Sequence, residues 1–340
     1  MNQLHLALLS GDGIGEAAGR ELDSVLHLLA DRFGFKCRVT PVPFGRKAYD
    51  TYGIALPEAS VTAIREADAA LFAAVDSSGI PGTTPVGLLR RQLGLYADVR
   101  PIRSGSGRQA LRPDIDLVFI RETTQGFLSD RNLYAGNGEW MSDENTAFSL
   151  RVISYEASRR IADFAFSYAR THGRKKVTAI HKASIFKMTC GTFLRACRDS
   201  AVAYPEITYE EEVADSTANG LVAHPQRYDV ILTTNLFGDV LSDEAAALVG
   251  DLAPSVNIGA QSRVYSPISH SPAYSLLAAD SYDPIPPLLC LQTLLEDLGQ
   301  AQAAAALGTC TASVAAQTGI HTTQLWSQLR ASLEEHYGNN

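Results

Sequence analysis

Two aspartates one helical turn apart are the sharpest chemical feature of the 340-residue chain. In Asn235-Leu-Phe-Gly-Asp239-Val-Leu-Ser-Asp243-Glu244 an apolar strand gives way to a helix, so Asp239 and Asp243 project from one face. Two carboxylates joined by a third from elsewhere suit Mg²⁺ or Mn²⁺, hard cations that take oxygen ligands. Acids early in a helix also complement its dipole, which requires no ligand. The choice between these readings turns on what accompanies the pair.

Four further stretches accompany it: Arg90-Arg-Gln-Leu-Gly-Leu-Tyr-Ala-Asp-Val-Arg100-Pro, Phe119-Ile-Arg121-Glu-Thr-Thr, His181-Lys182-Ala-Ser184, and Asp215. Together they resemble the β-decarboxylating dehydrogenases that oxidise (2R)-malates bearing a 3-substituent, the family of the isocitrate, isopropylmalate, homoisocitrate and tartrate enzymes. The resemblance runs from Leu4 to about Gly259 without large gaps. It implies that Arg90, Arg100 and Arg121 hold the malate carboxylates, a task suited to planar bidentate donors that keep their charge. It implies that Asp215, Asp239 and Asp243 bind the metal, a Lewis acid toward the 2-hydroxyl and then the ketone. Lys182 matches the lysine that helps take the hydroxyl proton, which calls for a lowered pKa. In the family the equivalents of Lys182 and Asp215 come from the second subunit, so an isologous homodimer with shared active sites is implied.

Two departures fall on the reacting centre and on the cofactor, and the substrate-choosing helix is also unlike the family's. After Arg121-Glu-Thr-Thr-Gln-Gly the family usually places a tyrosine two positions on, the acid that protonates carbon 3 after decarboxylation; here Leu128 stands there and cannot donate a proton. Tyr134 or a water is the candidate replacement. The stretch Ser269-His270-Ser-Pro-Ala-Tyr274-Ser275 through Asp283-Pro284 replaces the family's cofactor loop, leaving His270, Ser275 and Asp283 as candidate cofactor contacts for NAD or NADP. No acid follows promptly for the ribose of NAD, and no Lys or Arg for the 2′-phosphate of NADP. The helix ahead of Arg90 reads Thr83-Thr84-Pro85-Val86-Gly87-Leu88-Leu89, matching no member's pattern; Val86 and Gly87 point to an uncharged or bulky 3-substituent, with Thr84 as the one polar handle.

These residues must be positioned by a framework, and its rhythm is βαβ. Apolar runs at Leu4–Leu9, Ala69–Val75, Leu117–Ile120, Val177–Ile180 and Val230–Thr233 alternate with amphipathic segments at 16–33, 155–169 and 241–249. The expectation is an α/β chain with parallel or mixed sheets flanked by helices, in the two-domain isopropylmalate dehydrogenase-like fold with a central cleft. Residues 1–95 with 250–340 would form a larger cofactor-side domain. Residues 96–249 would form a smaller one with the metal and substrate residues and, from Phe127 to Ser149, a dimerisation arm. Five prolines between Pro267 and Pro287 predict a long surface loop, and Ala301–Ala306 a helix. The Gly11-Asp-Gly13-Ile-Gly15 turn lacks the G-x-G-x-x-G spacing and reads as a strand-to-helix junction rather than a phosphate cradle.

A net charge of -8 with no basic run argues against nucleic acid, and no apolar run is long enough for a bilayer. Five scattered cysteines without C-x-x-C spacing suggest neither a disulfide framework nor zinc, and fit a reducing cytoplasm. The functional expectation is metal-dependent oxidative decarboxylation of a 3-substituted malate with NAD(P). Two alternatives rest on Leu128 and the altered loop: a silent or regulatory member that binds metal and a polycarboxylate without hydride transfer, and a non-redox decarboxylase.

Overall fold

A computed structural model describes residues 3–9, 11–105, 110–127, 138–250, 253–268, 282–317 and 321–337. One ten-stranded sheet runs through the molecule in the order β2-β1-β3-β12-β11-β4-β5-β10-β8-β9. The strands are β1 (Leu4–Leu9), β2 (Cys37–Val42), β3 (Ala69–Leu71), β4 (Ala97–Arg103), β5 (Asp116–Glu122), β8 (Lys176–His181), β9 (Thr208–Val213), β10 (Val230–Thr233), β11 (Pro254–Ile258) and β12 (Arg263–Pro267). Both flanks are parallel, β2 to β12 and β5 to β9, while β12, β11, β4 and β5 pair antiparallel in the middle. The mixed α/β class read from the sequence is the one observed.

Central strands here are continuous apolar runs because both faces are covered. Val230-Ile-Leu-Thr233 is wholly buried, and Leu6 and Leu8 of β1 enter one core while Ala7 and Leu9 enter another on the opposite face. Helix α1 (Ile14–Phe33) lays Leu22, Val25, Leu26 and Leu29 on that first core and stops at Gly34, whose left-handed backbone closes the last turn. Helix α5 (Tyr155–Thr171) covers the same face further along, capped by the Ser154 hydroxyl on the Ala157 amide. The remaining helices that matter below are α4 (Pro85–Gln92), α7 (Ala214–Ala223), α8 (Asn235–Leu248), α9 (Ile285–Asp297) and α10 (Ala301–Ala315).

Three expectations need correction. The apolar run to Val75 is strand only over Ala69–Leu71; its buried continuation instead meets the glycine turn, where the Ala74 carbonyl accepts the Asp12 amide at 3.3 Å. Asp12 answers with its carboxylate, which takes the amides of Arg46, Lys47 and Asp76 at 2.8 to 2.9 Å. At Gly11 a Cβ would stand 1.9 Å from the Ala74 oxygen, so the turn packs against backbone, as a junction should. Second, the proline-rich stretch is not loop to its end: Pro286 and Pro287 sit in the first turn of α9, where missing amides cost nothing. Third, the helix of Ala301–Ala306 continues to Ala315. The arm segment shows a hairpin of β6 (Glu139–Asp143) and β7 (Thr146–Ser149), exposed throughout, with Trp140 stacked on Phe148; residues 128–137 lie outside the described ones.

Candidate active site

Strand register assembles the first half of the site. Asp98 of β4 pairs with Asn257 of β11 on one side and Arg121 of β5 on the other, so the three stand in a row on one face of the sheet. Arg100, two residues on, shares that face. Asp98 is fully buried and acts as the hub. Its Oδ2 takes Arg90 at 3.1 Å and Arg100 at 3.0 Å, with Arg121 at 3.8 Å, and its Oδ1 accepts the Ser255 hydroxyl at 2.7 Å. Burial alone would raise this carboxyl, but Arg100, Arg90 and Arg121 outweigh it and hold Asp98 at about 2.

Each arginine is also held by a neutral oxygen or a second acid. Arg90, in the last turn of α4, donates to Asn257 Oδ1 at 2.7 Å. Arg100 donates to the Ser242 hydroxyl at 2.6 Å and to Asp243 at 2.8 Å. Arg121 donates through Nε and Nη2 to Asn235 Oδ1 at 3.0 and 2.7 Å, and through Nη1 to Asp239. Burial and the repulsion of Arg90 and Arg100 lower Arg121 to about 10, which still leaves it charged at neutral pH. Gly238 lets α8 approach this closely: a Cβ there would lie 2.7 Å from the Arg121 side chain.

Asp239 and Asp243 do leave α8 on one face, as their spacing predicts, and both reach Arg100. They are 43% and 62% exposed, so each presents oxygen to solvent. Asp243 is raised by burial and by Asp239, with Arg100 opposing. Lys182 and Asp215 form a separate pair, Lys182 just past the end of β8 and Asp215 in the first turn of α7, hydrogen-bonded to each other. That bond lowers Asp215. Among the described residues no three acids, histidines or cysteines gather as a metal site, so one chain brings Asp215 to Lys182 and not to Asp239 and Asp243.

Over this geometry the comparisons are decisive. The model of the isocitrate/isopropylmalate dehydrogenase family matches residues 5–338. The chain belongs to that family. Its similarity to the isocitrate/isopropylmalate dehydrogenases thus extends well beyond Gly259, where the motifs alone fade. The chain is 38% identical over 301 residues to a 3-isopropylmalate dehydrogenase of Archaeoglobus fulgidus, covering 88% of this chain and 87% of that one. It is 35% identical to a homoisocitrate dehydrogenase of Methanocaldococcus jannaschii, covering 87% and 86%. Among solved structures, an isocitrate dehydrogenase from Methylococcus capsulatus superposes with a TM-score of 0.85 at 30% identity, over 99% of this chain and all of that one.

Other candidate residues fare variously. Thr84 is the N-cap of α4, its hydroxyl accepting the Gly87 amide at 3.2 Å, so the polar handle already has a structural task. Val86 and Leu88 pack partly against the second core. Asp283 accepts the Ile285 amide at 3.0 Å at the start of α9. Leu128, Tyr134, His270 and Ser275 lie outside the described residues. Sequence reasoning passed over Asp98 and Asn235, although both stood in the quoted motifs. Their signals were spacing: Asp98 lies two before Arg100 on one strand face, and Asn235 four before Asp239 on one helix face.

Proposed function

We propose that the chain catalyses metal-dependent, NAD(P)-linked oxidative decarboxylation of a (2R)-malate carrying an uncharged 3-substituent, as a homodimer with shared sites. The convergence of Arg90, Arg100 and Arg121 beneath Asp239 and Asp243 carries this reading. The cluster is self-neutral: three guanidiniums face the three carboxylates of Asp98, Asp239 and Asp243. A divalent cation on the two exposed aspartates leaves an excess of two positive charges, which a dicarboxylate cancels and a tricarboxylate exceeds.

The donor set fits Mg²⁺ or Mn²⁺, being carboxylate oxygens of Asp239 and Asp243 with Asp215 of a second copy completing it. Bound there, the metal supplies Lewis acidity at the 2-hydroxyl and the neighbouring carboxylate. NAD or NADP supplies the hydride acceptor. The residues of the chain do the rest. Arg100 and Arg121 exchange their contacts with Asp239 and Asp243 for the two carboxylates of the malate, and with Arg90 they fix carbon 2 in place. Lys182 lies close enough to Asp215 to be brought in by the same copy, where it takes the hydroxyl proton.

Support for pairing of copies comes from large apolar side chains left in solvent: Ile185 and Met188 shortly after Lys182, Val222 in α7, Val240 in α8, and Trp140 of the hairpin. We place the division into residues 1–95 with 250–340 and residues 96–249 between β11 and β4, where the sheet passes from one set of strands to the other. No helix among the described residues is long and apolar enough to cross a membrane, and we assign the protein to the cytoplasm.

A titration and a complementation assay test the reading. Calorimetry with NAD⁺ or NADP⁺, Mn²⁺ and a panel of 3-substituted malates should show saturable nucleotide binding and turnover of an uncharged-substituent malate ahead of isocitrate. Metal and malate binding without nucleotide binding would instead establish the silent or non-redox reading that Leu128 motivates. Mixing Lys182→Met and Asp243→Asn proteins, unfolding and refolding them together, should restore activity that neither has alone. No recovery would refute shared sites.

A further inference from the structure

The reverse face of the strands that carry the arginine cluster holds a cavity of about 360 Å³, toward the small end of the roughly 300–1,000 Å³ typical of ligand sites. Alternation along β4 puts Asp98 and Arg100 on the front and Val99, Pro101 and Arg103 on the back; in β11, Ser255 faces front and Pro254 back. The cavity is lined further by the end of α5, by one face of α9 from Leu289 to Asp297, and by α10. It therefore straddles the same two halves of the chain as the arginine cluster, one strand layer away. Nothing in the reading above uses it.

Its chemistry is specific. Pro101, Pro254, Leu289, Ala312 and the Tyr168 ring give apolar walls. Glu296 and Asp297 stand at the C-terminal end of α9, and α5 ends beside them with His172 stacked on Tyr168, so two helix termini add partial negative charge. One oxygen of Asp297 accepts the Tyr265 hydroxyl at 2.7 Å and one of Glu296 accepts Gln292 at 3.0 Å, leaving the other oxygen of each without a hydrogen bond among the described residues. The Tyr168 hydroxyl has none either, and Thr311, 1% exposed on the cavity wall, has a buried hydroxyl without a partner. Arg103, bonded through Nε to Asp116 at 3.1 Å, is the arginine that lines the cavity among the described residues. Tyr168 is raised chiefly by burial, with Arg174 and then Arg103 opposing and Asp297 and Asp116 adding to the rise, which places all four charges within electrostatic reach of its hydroxyl.

We propose that this cavity binds a small molecule with an ammonium group on an apolar body, and that its occupancy is transmitted through β4 and β11 to the substrate arginines. The ammonium meets Asp297, Glu296 and the Tyr168 hydroxyl; the body fills the wall of Leu289 and Ala312. Two sources share this chemistry, an apolar amino acid, whose carboxylate Arg103 would take, and a simple amine, which leaves Arg103 to Asp116.

Calorimetry on the full chain with L-phenylalanine, 2-phenylethylamine and 3-phenylpropanoate tests it. Both ammonium probes should bind saturably and the carboxylate alone roughly tenfold or more weakly, since a charge-assisted contact is lost. Tighter binding of the amino acid, with the advantage removed by Arg103→Gln, identifies the zwitterion; tighter binding of the amine identifies the amine. Glu296→Gln should weaken either probe about tenfold, and Ala312→Phe, which fills the cavity while keeping every charge, should abolish binding in a protein whose urea midpoint shows it folded. Absence of saturable binding of both ammonium probes, or undiminished binding by folded Ala312→Phe, overturns the site. Transmission predicts that saturating probe changes malate affinity by about fivefold or more, and that malate changes probe affinity equally; identical affinities with and without probe overturn the coupling.

Discussion

Arg90, Arg100 and Arg121 are 6, 3 and 1% exposed and tied from several directions, whereas among the described residues the side chains of Lys182 and Asp215 pair with each other alone, at 30% and 68% exposure. The arginine half of the candidate site is thus assembled inside one chain. The lysine half is left at the surface with its partner acid. A buried guanidinium cluster must be neutralised during folding, because three unpaired charges out of water would not be tolerated, so Asp98 is as much a folding requirement as a feature of the site. A surface pair makes no such demand. Substitutions should therefore separate cleanly: the exposed half governs rate, the buried half governs stability and rate together.

The largest effect should come from Lys182→Met. If Lys182 takes the hydroxyl proton, turnover falls about 10²–10⁴-fold while the urea midpoint stays where it is, and the rate deficit shrinks as pH rises and hydroxide substitutes. Steady-state kinetics beside equilibrium unfolding read both quantities. A stability loss with modest rate change would show that the pair holds structure instead. Next comes Asp98→Asn, which leaves the shape but removes the charge balancing three arginines. Breaking a buried pair in this way costs about 3–5 kcal/mol, so the midpoint of urea unfolding should drop sharply, and a small change would mean that Asn235, Asn257 and Ser242 suffice.

How much of this the sequence disclosed follows the same division. The common face of Asp239 and Asp243, the span of β1 and the run of β10 depend on local periodicity and were legible. The row of Asn257, Asp98 and Arg121 depends on which strands adjoin, and residues 257 and 98 become neighbours only because β11 returns between β12 and β4. Local pattern carries no information about that order. Pro286 and Pro287 were misread because proline was weighed as a breaker, when the first helical turn is the one place it fits. The distance of Asp215 from Asp239 and Asp243 was anticipated by resemblance alone; nothing in the residue types around Asp215 says which acids it joins.

A titration sharpens the contrast at a smaller scale. Asp98 is depressed to about 2 against an unfolded value of 3.8, so its contribution is complete above about pH 4 and is lost as pH falls toward 2, an effect of ~2 kcal/mol on stability. Asp243 moves the other way, raised by burial and Asp239. Protons should therefore displace Mn²⁺ from the exposed aspartates at a higher pH than the one at which the arginine core weakens. Calorimetric Mn²⁺ affinity measured from pH 7 downward, alongside urea midpoints, should show metal lost first. Simultaneous loss would mean that the two halves titrate as one unit.

The smallest effect concerns Thr84, which lies between the two regimes: exposed at the start of α4, yet at the head of the helix that delivers Arg90 to Asp98. Its hydroxyl accepts the Gly87 amide, and removing such a cap typically costs about 1 kcal/mol. Thr84→Ala should lower stability by that amount and raise KM for the malate slightly, through a looser Arg90, with kcat little changed, while Thr84→Ser should restore both because serine caps as well. If Thr84 instead reads the 3-substituent, alanine will alter the ranking of malates and leave stability alone. The ranking across the malate panel, measured for both variants against urea midpoints, therefore separates a residue that aims an arginine from one that touches the substrate.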